Sequence, residues 1–98
     1  MAKKIIWTDR ADKTFTKVLE FYIERNGSKT YSRKLNREIQ TLLTVLSKQA
    51  HLGTKTEKQR CRVFIRGNYK IFYEVDETHL IVHMIWDCRQ NPESFKLT

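Results

Sequence analysis

The chain has 98 residues, of which 40% are hydrophobic, and its formal net charge at pH 7 is +8. This length suits one domain with a single core, so we expect residues 1–98 to form a single domain. The charge favours an acidic partner such as nucleic acid or an acidic protein, although a solvated basic surface explains it equally well. The sequence lacks a secretion signal and the ~18 apolar residues of a membrane span, so we expect a cytoplasmic protein with no membrane partner.

The first half of the sequence predicts a strand followed by two amphipathic helices. The predicted elements are a strand at 4–7, a helix at roughly 9–25 and a second helix at roughly 29–49. Thr8 or Asp9 can cap the first helix, Gly27 suits its left-handed end, and Ser28 can cap the second. Apolar residues recur in each helix at steps of three and four, so each buries one face, and the short loop predicts an antiparallel hairpin. The other face of the second helix carries the cations Lys29, Arg33, Lys34, Arg37 and Lys48.

The second half of the sequence predicts three strands. They lie at 60–66, 69–76 and 80–86, after a polar connection at 50–59. Gly67 and Asn68 tolerate positive φ and predict a two-residue hairpin turn between the first two strands. The third strand is apolar on both faces, which favours an interior position in the sheet. The fold class is therefore α+β with the order β-α-α-β-β-β, a small mainly antiparallel sheet packed against an N-terminal helical hairpin.

Basic residues cluster around the first of these three strands. The cluster consists of Lys55, Lys58, Arg60, Arg62, Arg66 and Lys70. Because alternate residues of a strand share a face, we expect the arginines to stand on one open sheet face with Phe64 and Phe72 among them. Cations neutralise phosphates and rings stack on unpaired bases, so the pattern indicates a surface for single-stranded RNA. Alternatively, the rings pack beneath the arginine stems and the charges only solvate the face.

The remaining polar residues carry weaker signals. Two distant cysteines, Cys61 and Cys88, do not indicate a disulfide framework, and the three histidines lack the spacing of metal ligands, so no metal or cofactor is expected. The last strand ends in Asp87-Cys88-Arg89-Gln90-Asn91-Pro92. Asp87 and Arg89 either form part of a working site or pair with each other and cap the strand end.

As a set, four pieces of sequence resemble the RelE/ParE superfamily of toxins from type II toxin–antitoxin modules. They are the IIWTDRA opening, the amphipathic hairpin, the GNYKIFYEV strand pair and the terminal IVHMIWDCRQNP. The resemblance implies a toxin for plasmid stabilisation or growth arrest that a cognate antitoxin neutralises. RelE-like members are ribosome-dependent mRNA endonucleases that need no metal, and that activity is our first hypothesis. ParE-like members inhibit DNA gyrase without catalysis, which is the alternative; a basic binding domain without toxicity is the third.

The resemblance also implies roles for individual residues. The implied catalytic residues are Lys70, Arg89, Arg62 and Arg60. The basic and aromatic pattern described above gives Lys55, Lys58, Arg66, Phe64 and Phe72 as expected RNA-binding residues, and the resemblance adds Phe95. Phe95 stands where RelE has a tyrosine, and a phenylalanine has no hydroxyl with which to donate a proton. The RQNP tail and the long hairpin are more similar to the ParE-like branch.

Overall fold

The computed structural model of the chain describes residues 2–58 and 60–89. Strand β1 spans Lys4–Trp7, and two helices follow, α1 at Asp9–Asn26 and α2 at Thr30–Lys48. A 3-10 turn at Ala50–Leu52 leads to the remaining strands, which are β2 at Thr54–Lys55, β3 at Cys61–Arg66, β4 at Tyr69–Val75 and β5 at His79–Asp87. Among the described residues, no helix is both long and apolar enough to cross a membrane.

Two of the three predicted helix caps are confirmed. The Thr8 side chain accepts a hydrogen bond from the Ala11 amide at 3.1 Å, and Gly27 ends α1 with a φ of 68°. The predicted Ser28 cap is wrong. Lys29 occupies the N-cap position of α2 in a right-handed conformation, without a side-chain cap. Its carbonyl already accepts the Arg33 amide, so helical geometry begins one residue later than a Ser28 cap requires.

The five strands form one mixed sheet in the order β1-β5-β4-β3-β2. β1 is parallel to β5, and every other neighbouring pair is antiparallel, which confirms the predicted α+β class. The interior position of β5 is also confirmed. The short strand β2 lies inside the segment predicted as a plain connection, so the sheet has one strand more than predicted.

Both helices cover the same face of the sheet. The core between them includes Phe15 and Tyr22 of α1, Leu43 of α2, and Ile71 and Val82 of the sheet. This packing confirms the predicted helical hairpin lying on the strands, because neither helix could bury its apolar face alone.

The opposite face of the sheet is apolar at its centre, not basic. Cys61, Phe72 and Met84 form a second cluster there, with Val63 and Trp86 packed against it. The prediction of an open basic face is therefore wrong. The pairing register explains the error, since the β3 arginines lie on the side of the helices and the apolar alternates lie on the open side.

Candidate functional site

A bulge in the sheet brings the end of β5 to the helix-covered face. Phe72 pairs with Met84 but Tyr73 pairs with Val82, so His83 is the extra residue of β5. One inserted residue exchanges the faces of all residues beyond it. Asp87 therefore points to the same face as Val82, although their separation along the strand is odd.

The carboxylate of Asp87 is held by three contacts inside the protein. Its side chain is 0% exposed. Oδ2 accepts a hydrogen bond from the Tyr22 hydroxyl at 2.7 Å, and Oδ1 accepts from the Arg89 amide at 2.9 Å. The Nε atom of Arg89 lies 3.7 Å from Oδ1. The structure thus combines the ion pair and the strand-end cap that the sequence left open for Asp87.

Arg89 lies among three tyrosines that come from three different elements. Its Nη2 atom donates to the hydroxyls of Tyr31 and Tyr69, both at 2.7 Å. Its Cζ atom is 5.1 to 5.9 Å from the ring centres of Tyr22, Tyr31 and Tyr69. This cation–π geometry favours a guanidinium over an ammonium group. We call Tyr22, Tyr31, Tyr69, Asp87 and Arg89 the tyrosine–arginine cluster.

The electrostatics of the cluster disfavour ionisation of Tyr22 and Tyr69. Burial raises the pKa of Tyr22, and the Asp87 carboxylate beside its hydroxyl raises it further. Burial also raises the pKa of Tyr69, with a smaller contribution from the hydrogen bond to Tyr31. The hydrogen bond to Tyr31 is the main cause that raises the pKa of Arg89. The cluster therefore presents a cation oriented by hydroxyl groups, and the raised pKa values of Tyr22 and Tyr69 make it better suited to binding than to proton transfer.

Two open clefts lie beside Tyr31 and Arg89, and these two residues line both clefts. One cleft of about 280 Å³ is also lined by Phe21, Tyr22, Arg25 and Asn26. The other, of about 240 Å³, is also lined by Lys34, Leu35, Glu38, Arg66, Gly67, Asn68 and Tyr69. Arg89 is 44% exposed, so its guanidinium is accessible from both sides. A carboxylate or phosphate of a partner could reach it there.

Apart from Arg89 itself, the cations implied as catalytic do not lie in this cluster. Lys70 pairs with Ile65 and Trp86 and lies on the sheet face opposite the tyrosines. Arg62 pairs with the buried Tyr73 on the helix side, and its Nη1 atom donates to the Gly53 carbonyl at 2.8 Å. The predicted single face that joins the β3 arginines to Lys70 is therefore wrong.

A second basic region lies at the other end of β3. Lys55, Lys58, Arg60 and Arg62 line a cleft of about 460 Å³. Arg60 precedes the strand and has a φ of 66°, so it does not continue the strand alternation that the sequence predicted. Arg62 pairs with Tyr73, which lies four residues along β4 from Tyr69 of the cluster. The distance along the strand between these two tyrosines is about 13 Å. The clefts beside Arg89 and this basic cleft are thus separate places.

The aromatic residues implied as RNA-binding are also divided. Phe64 packs against the main core, whereas Phe72 is 2% exposed in the cluster on the opposite face. The expectation that both rings stand on one exposed face is wrong. Arg66 is exposed beside α2, with its Nε atom 3.7 Å from Glu38. Phe95 and the tail from Gln90 lie outside the described residues.

The sequence gives no functional signal for the three tyrosines of the cluster. Tyr22, Tyr31 and Tyr69 occupy positions where apolar periodicity alone predicts core residues. Tyrosine at such positions carries a hydroxyl that needs a partner when buried. That requirement was the available signal, but the partners are distant along the chain. Tyr31 and Tyr69 are 38 residues apart, and Tyr22 and Asp87 are 65 residues apart. No spacing rule connects them.

A comparison with family models matches residues 5–92 to the ParE toxin of type II toxin–antitoxin systems. The chain belongs to the ParE toxin family. A search of curated proteins gave no significant match. The matched region contains every member of the tyrosine–arginine cluster.

Solved structures share the fold of this ParE-family toxin at low sequence identity. The chromosomal ParDE system of P. aeruginosa aligns with a TM-score of 0.74 and 17% identity, over 88% of this chain and 96% of the other. A RelBE toxin–antitoxin complex of Mycobacterium tuberculosis gives 0.66 and 15%, over 89% and 99%. The YoeB dimer of Staphylococcus aureus gives 0.59 and 16%, over 86% and 94%. These likenesses confirm the predicted RelE/ParE-like fold.

Proposed function

We propose that this toxin arrests growth by binding a protein target, as the gyrase-inhibiting branch of the superfamily does, and not by cleaving mRNA. The observation that carries the proposal is the separation of the four cations implied as catalytic. Arg60 and Arg62 lie at one end of β3, Arg89 lies at the other end of the sheet, and Lys70 faces the opposite side. This choice reverses the order of the two activities expected from the sequence.

Cleavage of a phosphodiester needs several groups around one phosphorus atom. Donors must lie within hydrogen-bond distance of the oxygens on which charge develops, and a base must reach the attacking hydroxyl. Cations separated by about 13 Å along a strand and by the thickness of a sheet cannot meet that demand together. Tyr22 and Tyr69 beside Arg89 have raised pKa values, which disfavours either of them as the base.

Binding of a protein surface makes a different demand, which the tyrosine–arginine cluster meets. Tyrosine and arginine are the residues enriched in the centres of protein interfaces. Arg89 is oriented by its two tyrosine bonds, so less rotamer entropy is lost when a partner carboxylate binds it. The clefts beside it are open enough to admit a side chain of the partner.

The same proposal includes a cognate antitoxin as the natural partner. Two of the structural neighbours are described by their toxin–antitoxin systems, ParDE and RelBE. A net charge of +8 favours an acidic antitoxin segment. Such a segment would neutralise the toxin by covering Arg89 and its clefts.

Induced expression in growing cells, with DNA, RNA and protein synthesis followed separately, tests the proposal. We expect growth arrest with a DNA damage response, and inhibition of supercoiling when purified gyrase and toxin are mixed. Early translation arrest with cleaved mRNA would assign the nuclease activity instead. Lys70→Ala is a second test, because a nuclease that uses this cation loses toxicity whereas a gyrase inhibitor that binds through Arg89 keeps it.

A further inference from the structure

The positive charge of the two helices is concentrated on α2. The sequence of α1 contains four cations and four acids, which cancel. The sequence of α2 contains four cations and a single acid, Glu38, with no acid in its first turn. Arg66 of β3 lies 3.7 Å from Glu38 and offsets that charge as well. A helix with so little compensation of charge favours a partner of negative charge.

Two of these cations and Lys29, the N-cap residue, form a regular row on the exposed side of α2. Lys29, Arg33 and Arg37 follow one another at intervals of four residues, and all three are exposed. Each step advances about 6 Å along the helix, so the row is about 12 Å long. Within residues 2–58 and 60–89, these three side chains form no ion pair with an acid. Like charges at this spacing repel one another, which costs stability unless a partner supplies negative charge.

We propose that this row, which we call the α2 ladder, binds the phosphate backbone of double-stranded DNA. One strand of a DNA duplex places a phosphate about every 3.4 Å along its axis, so a row of about 12 Å faces three or four phosphates. Cations one helical turn apart can each reach one of them. The ladder reads no sequence, because contacts to phosphates position a protein without distinguishing bases.

The neighbours of the ladder favour a nucleic acid over a protein partner. The exposed residues between and beside the cations are polar, namely Thr30, Asn36, Gln40 and Thr41. Protein interfaces have an apolar centre, whereas interfaces with DNA are polar and strongly positive. No aromatic side chain is exposed on α2, all of which the structure describes, so unpaired bases have nothing on which to stack. These features point to a duplex backbone.

The ladder is separate from the tyrosine–arginine cluster. Tyr31 and Leu35 of α2 pack against the core and line the clefts beside Arg89. Arg33 and Arg37 line neither of these clefts. DNA binding by the ladder is therefore a function additional to the proposed toxicity, and either can fail without the other.

Binding of a short labelled DNA duplex of arbitrary sequence, followed by fluorescence anisotropy across a salt series, tests the inference. If the three cations each neutralise one phosphate, the affinity falls about 40-fold between about 50 and 200 mM salt, from a slope of about −0.9 per phosphate. The variant Lys29→Gln/Arg33→Gln/Arg37→Gln should lose most of that salt dependence and bind at least tenfold more weakly at the lowest salt. The single variant Arg37→Gln should lower the slope by about one unit.

A matched control removes the same charge elsewhere. Lys4→Gln/Lys13→Gln/Lys17→Gln changes three exposed lysines of β1 and α1, so its net charge equals that of the ladder variant. We expect this control to bind the duplex nearly as the unaltered protein does. Equal losses in the two triple variants would overturn the inference, because net charge and not the ladder would then explain binding.

Two further probes separate the partner classes. Polyglutamate that binds as tightly as the duplex would assign the ladder to an acidic protein and overturn the proposal, and so would a clear preference for single-stranded DNA. Circular dichroism and the melting temperature establish that each variant is folded, which we expect because all substitutions are exposed. Growth arrest by the ladder variant should match that of the unaltered toxin, so failure of this inference leaves the proposed function intact.

Discussion

Replacement of Tyr22 by phenylalanine probes the buried carboxylate at the centre of the tyrosine–arginine cluster. The substitution removes only the hydroxyl that donates to Asp87 Oδ2 at 2.7 Å. The Asp87 side chain is 0% exposed, so water cannot replace that donor without a rearrangement. A hydrogen bond to a charged group contributes about 1.5–3 kcal/mol. For a domain of this size each kcal/mol shifts the melting temperature by roughly 4–8 °C, so we expect a fall of about 6–24 °C.

Tyr31→Phe is the matched control for this prediction. It removes a hydroxyl from the same cluster but no donor to Asp87. Arg89, which donates to that hydroxyl, is 44% exposed, so water replaces most of the lost contact and the cost should be about 0.5–1.5 kcal/mol. Chemical denaturation of both variants, with equal m-values as evidence of unchanged compactness, gives the comparison.

A double substitution of Tyr22 and Asp87 tests the same hydrogen bond in a second way. With Asp87 already replaced by alanine, Tyr22→Phe should cost little or even stabilise, because the hydroxyl has lost its acceptor. The reasoning is refuted if Tyr22→Phe costs no more than Tyr31→Phe, or if its cost is unchanged in the Asp87→Ala background. Either result would mean that the carboxylate does not depend on Tyr22.

Three further predictions concern other parts of the chain. Arg89→Lys should abolish most growth arrest in protein that circular dichroism shows to be folded, because lysine cannot copy the bidentate contact of a guanidinium; a fully toxic Arg89→Ala protein would contradict this role. Gly53→Ala should cost about 1–3 kcal/mol in chemical denaturation, since the added Cβ would overlap the ring of the buried Tyr73 while the backbone φ of −77° suits any residue; an unchanged midpoint would show that Tyr73 moves aside. The raised pKa values of Tyr22 and Tyr69 mean that the folded protein keeps protons that the unfolded chain loses near pH 10. Stability should therefore be unaffected by these groups below about pH 10 and fall as the pH rises above it, as chemical denaturation across a pH series would measure.

Local sequence signals determined the elements of this protein. The observed bounds of α1 and α2 differ from the predicted ones by about one residue, because caps and apolar periodicity act over a few neighbouring residues. The Gly67-Asn68 turn and the alternation of β3 and β4 follow from rules equally short in range. The Ser28 cap failed because two adjacent residues could begin the helix and propensity alone does not choose between them.

Contacts between distant parts of the chain decided how these elements pair and which face of the sheet each residue occupies. Alternation separates the arginines of β3 from Val63 but does not say which set faces the helices, and that choice depends on the register with β4. The parallel pairing of β1 with β5 and the short strand β2 also depend on partners far away in the sequence.

The candidate site shows this division most clearly. The sequence identified Asp87 and Arg89 as charged groups at a strand end, and so determined that a polar site could exist there. The tertiary structure decided what the site is, because the bulge at His83 turns Asp87 towards the helices and the packing of α1 brings Tyr22 to it from 65 residues away. One extra residue in a strand reverses the faces of all that follow, and no local pattern in this chain reveals it.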